Sequence, residues 1–168
     1  MLSDRIRPGV HVLLVGINPG VRSAAIGHHF AGHSNRFWKL LHESGLVPEP
    51  IGTEDDARLP EWRLGITNLI RRTTPGIDTL RPEEYAAGVP RLRRKVRRFE
   101  PRIVAFVGVS LYRVIFRKNT RIALGLQDET FEGARVFVLP NPSGRNANFT
   151  YAEMLAAFNA LATFARGV

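Results

Sequence analysis

The chain has 168 residues, a length that fits one domain, and its lack of cysteine excludes disulfide frameworks, thiolate nucleophiles and cysteine-ligated iron–sulfur clusters. Lys and Arg total 24 against 15 Asp and Glu, and the resulting net charge of +9 is compatible with a polyanionic partner or with a merely biased composition. No apolar run approaches the roughly 20 residues that span a bilayer, and the N-terminus lacks the apolar segment of a secretory signal, so we expect a cytoplasmic protein with no membrane partner.

Four short apolar runs are predicted to be buried strands, at residues 10–15, 65–70, 103–107 and 136–139. Their apolar residues are nearly continuous rather than alternating, which is typical of a parallel sheet covered on both faces. Helical patterns fall between them. The sequence therefore predicts the α/β class, as a three-layer α/β/α sandwich around a central, mainly parallel sheet.

Two predicted helices have clear boundary signals. Ser34 can cap a helix that carries three apolar residues at helical spacing and ends at Gly45. Thr150 and Glu153 form a capping box for a final helix that closes near Gly167. We expect this last helix to pack against the sheet.

A third predicted helix, residues 82–100, combines an apolar stripe with many basic residues. We expect Pro90 to kink or split it. A helix rich in Lys and Arg is usually a solvated face, and the alternative is a surface that follows DNA. The basic residues are Arg91, Arg94, Lys95 and Arg98.

Polar turns follow the first and last predicted strands, at residues 16–20 and 141–144. Sites in open α/β sheets form at the carboxyl ends of the strands. No carboxylate lies between Asp4 and Glu43, so chemistry at the first turn must use an amide, backbone groups and positive charge. Asn18 is the amide in that turn, although Asn-Pro-Gly is also a turn sequence in its own right.

Other common site signatures are absent or weak. The sequence has neither a G-x-G-x-x-G nor a Walker A pattern, and residues 108–112 do not form a nucleophile elbow. His28, His29 and His33 have no nearby cysteine or carboxylate in sequence to complete a metal site, so we expect loop residues rather than metal ligands. Phe30 lies among them in a Gly-rich loop, where an aromatic ring can stack on a nucleobase.

Several of these segments, taken in order, resemble the mismatch-specific uracil/thymine DNA glycosylases, the second family of the uracil-DNA glycosylase superfamily. The resemblance rests first on residues 16–20 (GINPG), 27–30 (GHHF) and 35–38 (NRFW). Residues 65–68 and 72–76 are similar to the eukaryotic thymine-excising branch, and residues 139–144 (LPNPSG) to the bacterial branch. The match runs almost end to end and implies one domain with the uracil-DNA-glycosylase fold over residues 1–168.

The resemblance assigns roles to individual residues. Asn18 would hold the attacking water, Phe30 would stack on the flipped base, and backbone groups near Ile17 and Phe30 would bind its edge. The base pocket it implies consists of Ile17, Gly20, Ser23, Phe30, Asn68 and Asn141. The segment that would enter the DNA helix and contact its backbone consists of Ser143, Gly144, Arg145, Asn146 and Ala147.

Three positions carry further expectations. Ser23 replaces a smaller alanine of the thymine-excising branch, so the pocket should favour uracil over thymine. Arg145 stands where bacterial relatives commonly have an apolar wedge, a departure that affects how the guanine opposite the lesion is selected. Ser143 would lie near the phosphate of the flipped nucleotide, and the alternative is a hydroxyl bonded to local backbone.

The implied activity is that of a monofunctional DNA glycosylase that hydrolyses the N-glycosidic bond of uracil opposite guanine and leaves an abasic site. Ethenocytosine, and weakly thymine, are further substrates. The resemblance implies no cofactor and no metal. It implies a monomer associated with the nucleoid through duplex DNA carrying a G·U mismatch, with downstream abasic-site repair enzymes as further partners. The alternatives are a glycosylase of the same fold for another deaminated base such as hypoxanthine, and a non-catalytic binder of mismatched or single-stranded DNA.

Overall fold

A computed structural model describes residues 1–168, which form one five-stranded sheet with helices on both faces. The strands are β1 (Val12–Gly16), β2 (Leu64–Asn68), β3 (Ile103–Val107), β4 (Gly125–Phe131) and β5 (Ala134–Leu139). The helices are α1 (Val21–Ile26), α2 (Phe37–Glu43), α3 (Pro82–Phe99), α4 (Val109–Ile115) and α5 (Tyr151–Arg166), with a 3₁₀ helix at Thr53–Trp62. No helix has the length and apolar character needed to cross a membrane.

Both faces of the sheet are covered because successive residues of each buried strand point to opposite sides. In β1, Val12 and Leu14 pack with α2 and α5, whereas Leu13 and Val15 pack with α3 and α4. The four predicted strands correspond to β1, β2, β3 and β5, and all four are parallel. The predicted α/β/α sandwich is confirmed.

The strand order, β2-β1-β3-β5-β4, determines where along the sheet a ligand site can form. The chain leaves β1 for β2 on one side and then returns past β1 to β3 on the other. This reversal makes the carboxyl ends of β1 and β3 a topological switch point, where open α/β sheets bind ligands. The polar turn after β1 lies at this edge, together with the ends of β2 and β5.

Strand β4 was not predicted from the sequence. It pairs with β5 in the antiparallel direction at the border of the sheet, and an irregularity between Leu126 and Thr130 interrupts its register. Its residues alternate between exposed and half-buried until Phe131, which is buried. A border strand with one solvated face lacks the continuous apolar run that marks the inner strands.

Two helix expectations need correction. Ser34 does not cap α2, because the helix begins at Phe37 and the side chain of Asn35 accepts a hydrogen bond from the Phe37 N–H (3.0 Å). Pro90 does not split α3, which is continuous from Pro82 to Phe99. Because proline has no N–H, the Ala86 carbonyl loses its helical hydrogen-bond partner at Pro90. Both residues are exposed, so water can satisfy that carbonyl.

The final helix follows its prediction closely. The Thr150 hydroxyl accepts from the Glu153 N–H, and the Glu153 carboxylate accepts from the Thr150 N–H, which is the reciprocal capping box. Gly167 ends the helix. Its apolar stripe, which includes Phe158 and Leu161, is buried against the sheet and α2.

Candidate active site

A cleft of about 680 Å³ opens at the carboxyl edge of the sheet, between the turns that follow β1, β2 and β5. None of its lining residues is an aspartate or a glutamate, and Arg22 and Arg145 border it. The predicted site residues that line it are Ile17, Asn18, Gly20, Ser23, Phe30, Asn68, Asn141, Ser143 and Arg145. Gly144, Asn146 and Ala147 do not line the cleft, although they belong to the same turn as Asn141.

The side-chain amide of Asn18 is held in one orientation by the loop after β2. Its Nδ2 donates to the Arg72 carbonyl (2.8 Å) and to the Thr74 hydroxyl (2.8 Å). A carbonyl oxygen accepts hydrogen bonds and cannot donate, so the nitrogen must face Arg72. The Asn18 Oδ1 accepts no hydrogen bond within the chain and remains available as an acceptor to a molecule in the cleft.

Thr74 connects the two loops, and sequence reasoning assigned it no role. It is buried, and its hydroxyl accepts from Asn18 and donates to the Gly76 carbonyl. The Thr74 N–H donates to the Pro19 carbonyl (3.2 Å). The segment 72–76 was noted in the sequence for its resemblance alone, and the order of the strands is what brings it against Asn18.

Arg72 fastens this segment to the start of α3. Its guanidinium donates to both carboxylate oxygens of Glu84 (2.6 and 3.1 Å) and to the Thr79 carbonyl. Hydrogen bonds from the Arg72 side chain and the Arg81 N–H hold the pKa of Glu84 below its ordinary value. Bidentate pairing of this kind has a defined geometry, so it supports the position of the Arg72 carbonyl that binds Asn18.

Phe30 forms an aromatic wall of the cleft in a backbone conformation that its residue type rarely adopts. Its φ is +50°, and its ring stacks on buried Phe37 with centroids 4.1 Å apart and planes 16° apart. Hydrogen bonds on both sides hold the strained residue: the Ala31 N–H donates to the Ser23 hydroxyl (3.0 Å), and the His29 carbonyl accepts from the Trp38 indole (3.1 Å).

A buried carboxylate organises the start of the same loop. Asp56 is fully buried and accepts from the His29 N–H (2.8 Å), from the Arg5 guanidinium (3.2 Å) and from His28 Nδ1 (3.0 Å). His29 is also buried, and its Nε2 donates to the Ser3 carbonyl (2.7 Å). Burial lowers the pKa of His29, which favours the neutral ring.

Unpaired backbone donors lie beside the amide. The N–H groups of Ile17, Asn18 and Phe30 donate to no acceptor within the chain. The carbonyls of Gly16 and Ile17 are already used, because they accept from Leu69 and Ile70. Ile17, Asn18 and Phe30 all line the cleft, so their N–H groups are candidate donors to a ligand that carries acceptors or negative charge.

Asn68 lies at the end of β2, directly beside β1. A Cβ at Gly16 would come within 2.6 Å of the Asn68 Oδ1, so a larger residue at position 16 would displace the Asn68 amide from its present position. Asn68 makes no side-chain hydrogen bond within the chain. It therefore retains a free amide at the rim of the cleft.

The turn after β5 is shaped by its own polar side chains. Asn141 Oδ1 accepts from the Ser143 N–H (3.0 Å), and the Asn141 carbonyl accepts from the Asn146 side chain (2.9 Å). The Ser143 hydroxyl accepts from the Arg145 N–H (3.2 Å), which is the local backbone bond considered as an alternative role for this serine.

This turn also meets the loop that precedes α2. A Cβ at Gly144 would lie 2.6 Å from the Ser34 carbonyl oxygen, and the Arg36 N–H donates to the Pro142 carbonyl (2.9 Å). Arg145 is exposed beside this junction, at the mouth of the cleft. His33 also lines the cleft and is exposed.

Comparison with known proteins decides the family. The family model of the Uracil DNA glycosylase superfamily matches residues 3–162. The chain belongs to that superfamily. Among solved structures, the solution NMR structure of a candidate uracil DNA glycosylase from Methanosarcina acetivorans is 19% identical, covers 96% of both chains and superposes with a TM-score of 0.64.

That structural likeness, at its low sequence identity, supports the fold alone. Members of the Uracil DNA glycosylase superfamily are hydrolases that act on DNA. The mainly parallel five-stranded sheet described above is the part of this chain that the structural likeness supports.

Proposed function

We propose that the protein is a monofunctional, mismatch-specific DNA glycosylase that removes uracil opposite guanine and leaves an abasic site. The observation that carries this proposal is the fixed orientation of the Asn18 amide, whose Nδ2 is bound twice and whose Oδ1 is free. An amide oxygen can orient a water molecule but is a very weak base. Such a site suits a reaction in which bond breaking runs ahead of nucleophilic attack.

In the proposed reaction, the C1′–N1 bond of the flipped nucleotide breaks heterolytically. The electron pair leaves with the uracil ring, which becomes an anion, and the sugar becomes an oxocarbenium-like cation. Water positioned by Asn18 Oδ1 then forms the new C1′–O bond and releases a proton to solvent. The uracil anion takes up a proton after departure. Weak activation of the water implies slow turnover.

Stabilisation of the departing anion is assigned to the unpaired N–H donors of Ile17 and Phe30. Preorganised donors aimed at developing charge lower a barrier by about 3 kcal/mol each. The absence of any carboxylate from the cleft lining removes a source of repulsion for this anion. Phe30, supported by Phe37, offers its ring for stacking against the extruded base.

Selectivity is proposed to arise at two places. Extruding a base costs less from a mismatch than from a matched pair, so uracil opposite guanine should react faster than uracil opposite adenine. Ser23 is buried in the cleft wall with its hydroxyl bound to Ala31, so its bulk is fixed where it would oppose the thymine methyl group. Arg145 is proposed to stack in the space vacated by the base.

The test is single-turnover excision by wild type and Asn18→Ala on G·U, A·U, G·T and single-stranded uracil substrates. We expect wild type to prefer G·U and Asn18→Ala to be slower by about 100-fold or more, in the range of a positioned catalytic group. Asn159→Ala, which removes an exposed amide on α5, is the matched control and should behave as wild type. Equal excision by wild type and Asn18→Ala would remove the mechanism.

The same substrate panel should include a duplex with hypoxanthine. Excision of hypoxanthine without excision of uracil would favour a glycosylase for another deaminated base. Binding of G·U duplexes without strand breaks after alkali would favour a non-catalytic mismatch binder.

A further inference from the structure

A basic trough lies beside the cleft, between the N-terminal segment, the loop after β2 and one side of α3. It encloses about 320 Å³. Its charged lining residues are Asp4, Arg71, Arg91, Arg94, Lys95 and Arg98, so a single carboxylate faces five cations. The reaction proposed above uses none of these side chains.

The arginines of α3 divide into two stripes with different surroundings. Arg93 and Arg97 lie four residues apart and both pair with Glu132 (3.3 and 2.9 Å). On the trough side, Arg94 and Arg98 are exposed and pair with no carboxylate. Arg71 is likewise exposed and pairs with no carboxylate. The first stripe is therefore partly neutralised by a shared carboxylate, whereas the trough side presents unneutralised charge to solvent.

Two other cations of the trough, both on α3, bind the segments that face this helix. Lys95 contacts Asp4 (2.6 Å) and donates to the Thr67 hydroxyl (3.0 Å), which ties α3 to β2 and to the N-terminal segment. Arg91 donates to the Leu69 carbonyl (3.3 Å). The free guanidinium groups consequently sit on a fixed scaffold.

The trough is continuous with the cleft through a shallow depression. Pro19, Leu2 and Asn68 line both the cleft and this depression. Asp4, Arg71 and Lys95 line both the depression and the trough. A strand whose nucleotide occupied the cleft would therefore meet a row of cations on leaving it.

We propose that this trough binds the phosphate backbone of the DNA duplex that flanks the lesion, an inference that rests on the proposed function. Residues 91 to 98 span about 10 Å along the helix axis, which is about three phosphate steps on one strand. Guanidinium groups match phosphate oxygens in bidentate geometry. Contacts to phosphate oxygens fix the position of a protein on the duplex and carry no sequence information themselves, so we expect trough binding to depend little on sequence.

The variant that tests this removes three trough charges and keeps the structural contacts of Arg91 and Lys95. It is Arg71→Gln, Arg94→Gln and Arg98→Gln combined. The matched control, Arg117→Gln, Arg121→Gln and Arg135→Gln, removes three exposed arginines that also lack carboxylate partners. Thermal unfolding checks that both triple variants are folded.

The measurement is fluorescence anisotropy of an undamaged duplex over a series of KCl concentrations. In the trough variant, the slope of log K against log [KCl] should fall in magnitude by roughly 2 to 3, and Kd at low salt should rise by roughly tenfold or more. The control should change the slope by less than about 1. Excision of uracil at saturating protein should remain at the wild-type rate in the trough variant.

The outcomes separate the two proposals. A trough variant with the wild-type slope and Kd, alongside a wild type that excises uracil, would overturn the trough and leave the proposed function standing. A reduced slope with a wild type that excises no base would support the trough and overturn the proposed function. Loss of affinity for inorganic tripolyphosphate with DNA binding intact would show a small-anion site and would also overturn the trough as a DNA surface.

Discussion

The orientation of Asn18 depends on Thr74, and replacing Thr74 with valine tests that dependence. Valine preserves the shape of the buried side chain but removes the hydroxyl that accepts from Asn18 Nδ2 and donates to the Gly76 carbonyl. The Asn18 amide keeps its bond to the Arg72 carbonyl, so the loss should be partial. Removing one such partner is worth about 1 to 2 kcal/mol, which corresponds to a fall of roughly 5- to 30-fold in the rate of uracil excision.

The assay is single-turnover excision from a G·U duplex, with the Kd for the duplex measured in parallel. Because Thr74 acts through Asn18, we expect the rate to fall while Kd stays constant. Thr74→Ser should restore most of the rate. Thr73→Val, which changes the exposed neighbouring threonine, is the control. If Thr74→Val excises uracil at the wild-type rate, the hydroxyl does not position the amide and our reasoning about the site is wrong.

Three further predictions concern the loop that carries the aromatic wall and the contact between the motifs. Asp56→Ala should lower the free energy of unfolding by about 2 to 3 kcal/mol in urea denaturation, because the buried His29 N–H and the half-buried Arg5 guanidinium lose their acceptor, whereas exposed Glu54→Ala should change it little. Burial depresses the pKa of His29 in the folded protein, so as the pH falls the unfolded chain binds a proton at a higher pH than the folded chain does. The free energy of unfolding should therefore decrease as the pH falls below about 6.5. His29→Gln should flatten that dependence, which urea titrations at successive pH values would measure. Gly144→Ala should push the turn after β5 away from Ser34, since the new Cβ would lie 2.6 Å from the Ser34 carbonyl oxygen. Affinity for a mismatched duplex should then be weaker in a binding assay. Unchanged affinity would contradict the close packing of the two turns.

Much of the fold was predictable because the inner strands are marked by local chemistry. Each parallel strand is buried on both faces, so it must be apolar at nearly every position, and β1, β3 and β5 are. Strand β4 escaped detection because its partner and its half-buried face come from tertiary pairing at the border of the sheet. Pro90 shows the reverse error, since a local helix breaker is tolerated where the carbonyl that it leaves unpaired, that of Ala86, is exposed to water.

Individual residues of the candidate site were predictable from the sequence, whereas the hydrogen bonds that join distant segments around them were not. Asn18 and Asn141 follow apolar strands in the sequence, and parallel order then places both turns at one edge. Thr74 gave no comparable signal, because its role depends on a hydrogen bond to a residue 56 positions away. The left-handed backbone of Phe30 was equally hidden, since only the surrounding bonds from residues such as Asp56 and Trp38 stabilise it.

The way the Asn18 amide is held also limits which residue can occupy its position. A carboxylate there would place negative charge 2.8 Å from the Arg72 carbonyl oxygen, which has no proton to share. The Thr74 hydroxyl would have to abandon Gly76 to donate to such an anion. Replacing the amide with an acid would thus also require a different conformation of the loop after β2. A single substitution at position 18 would therefore not supply a well-positioned stronger base.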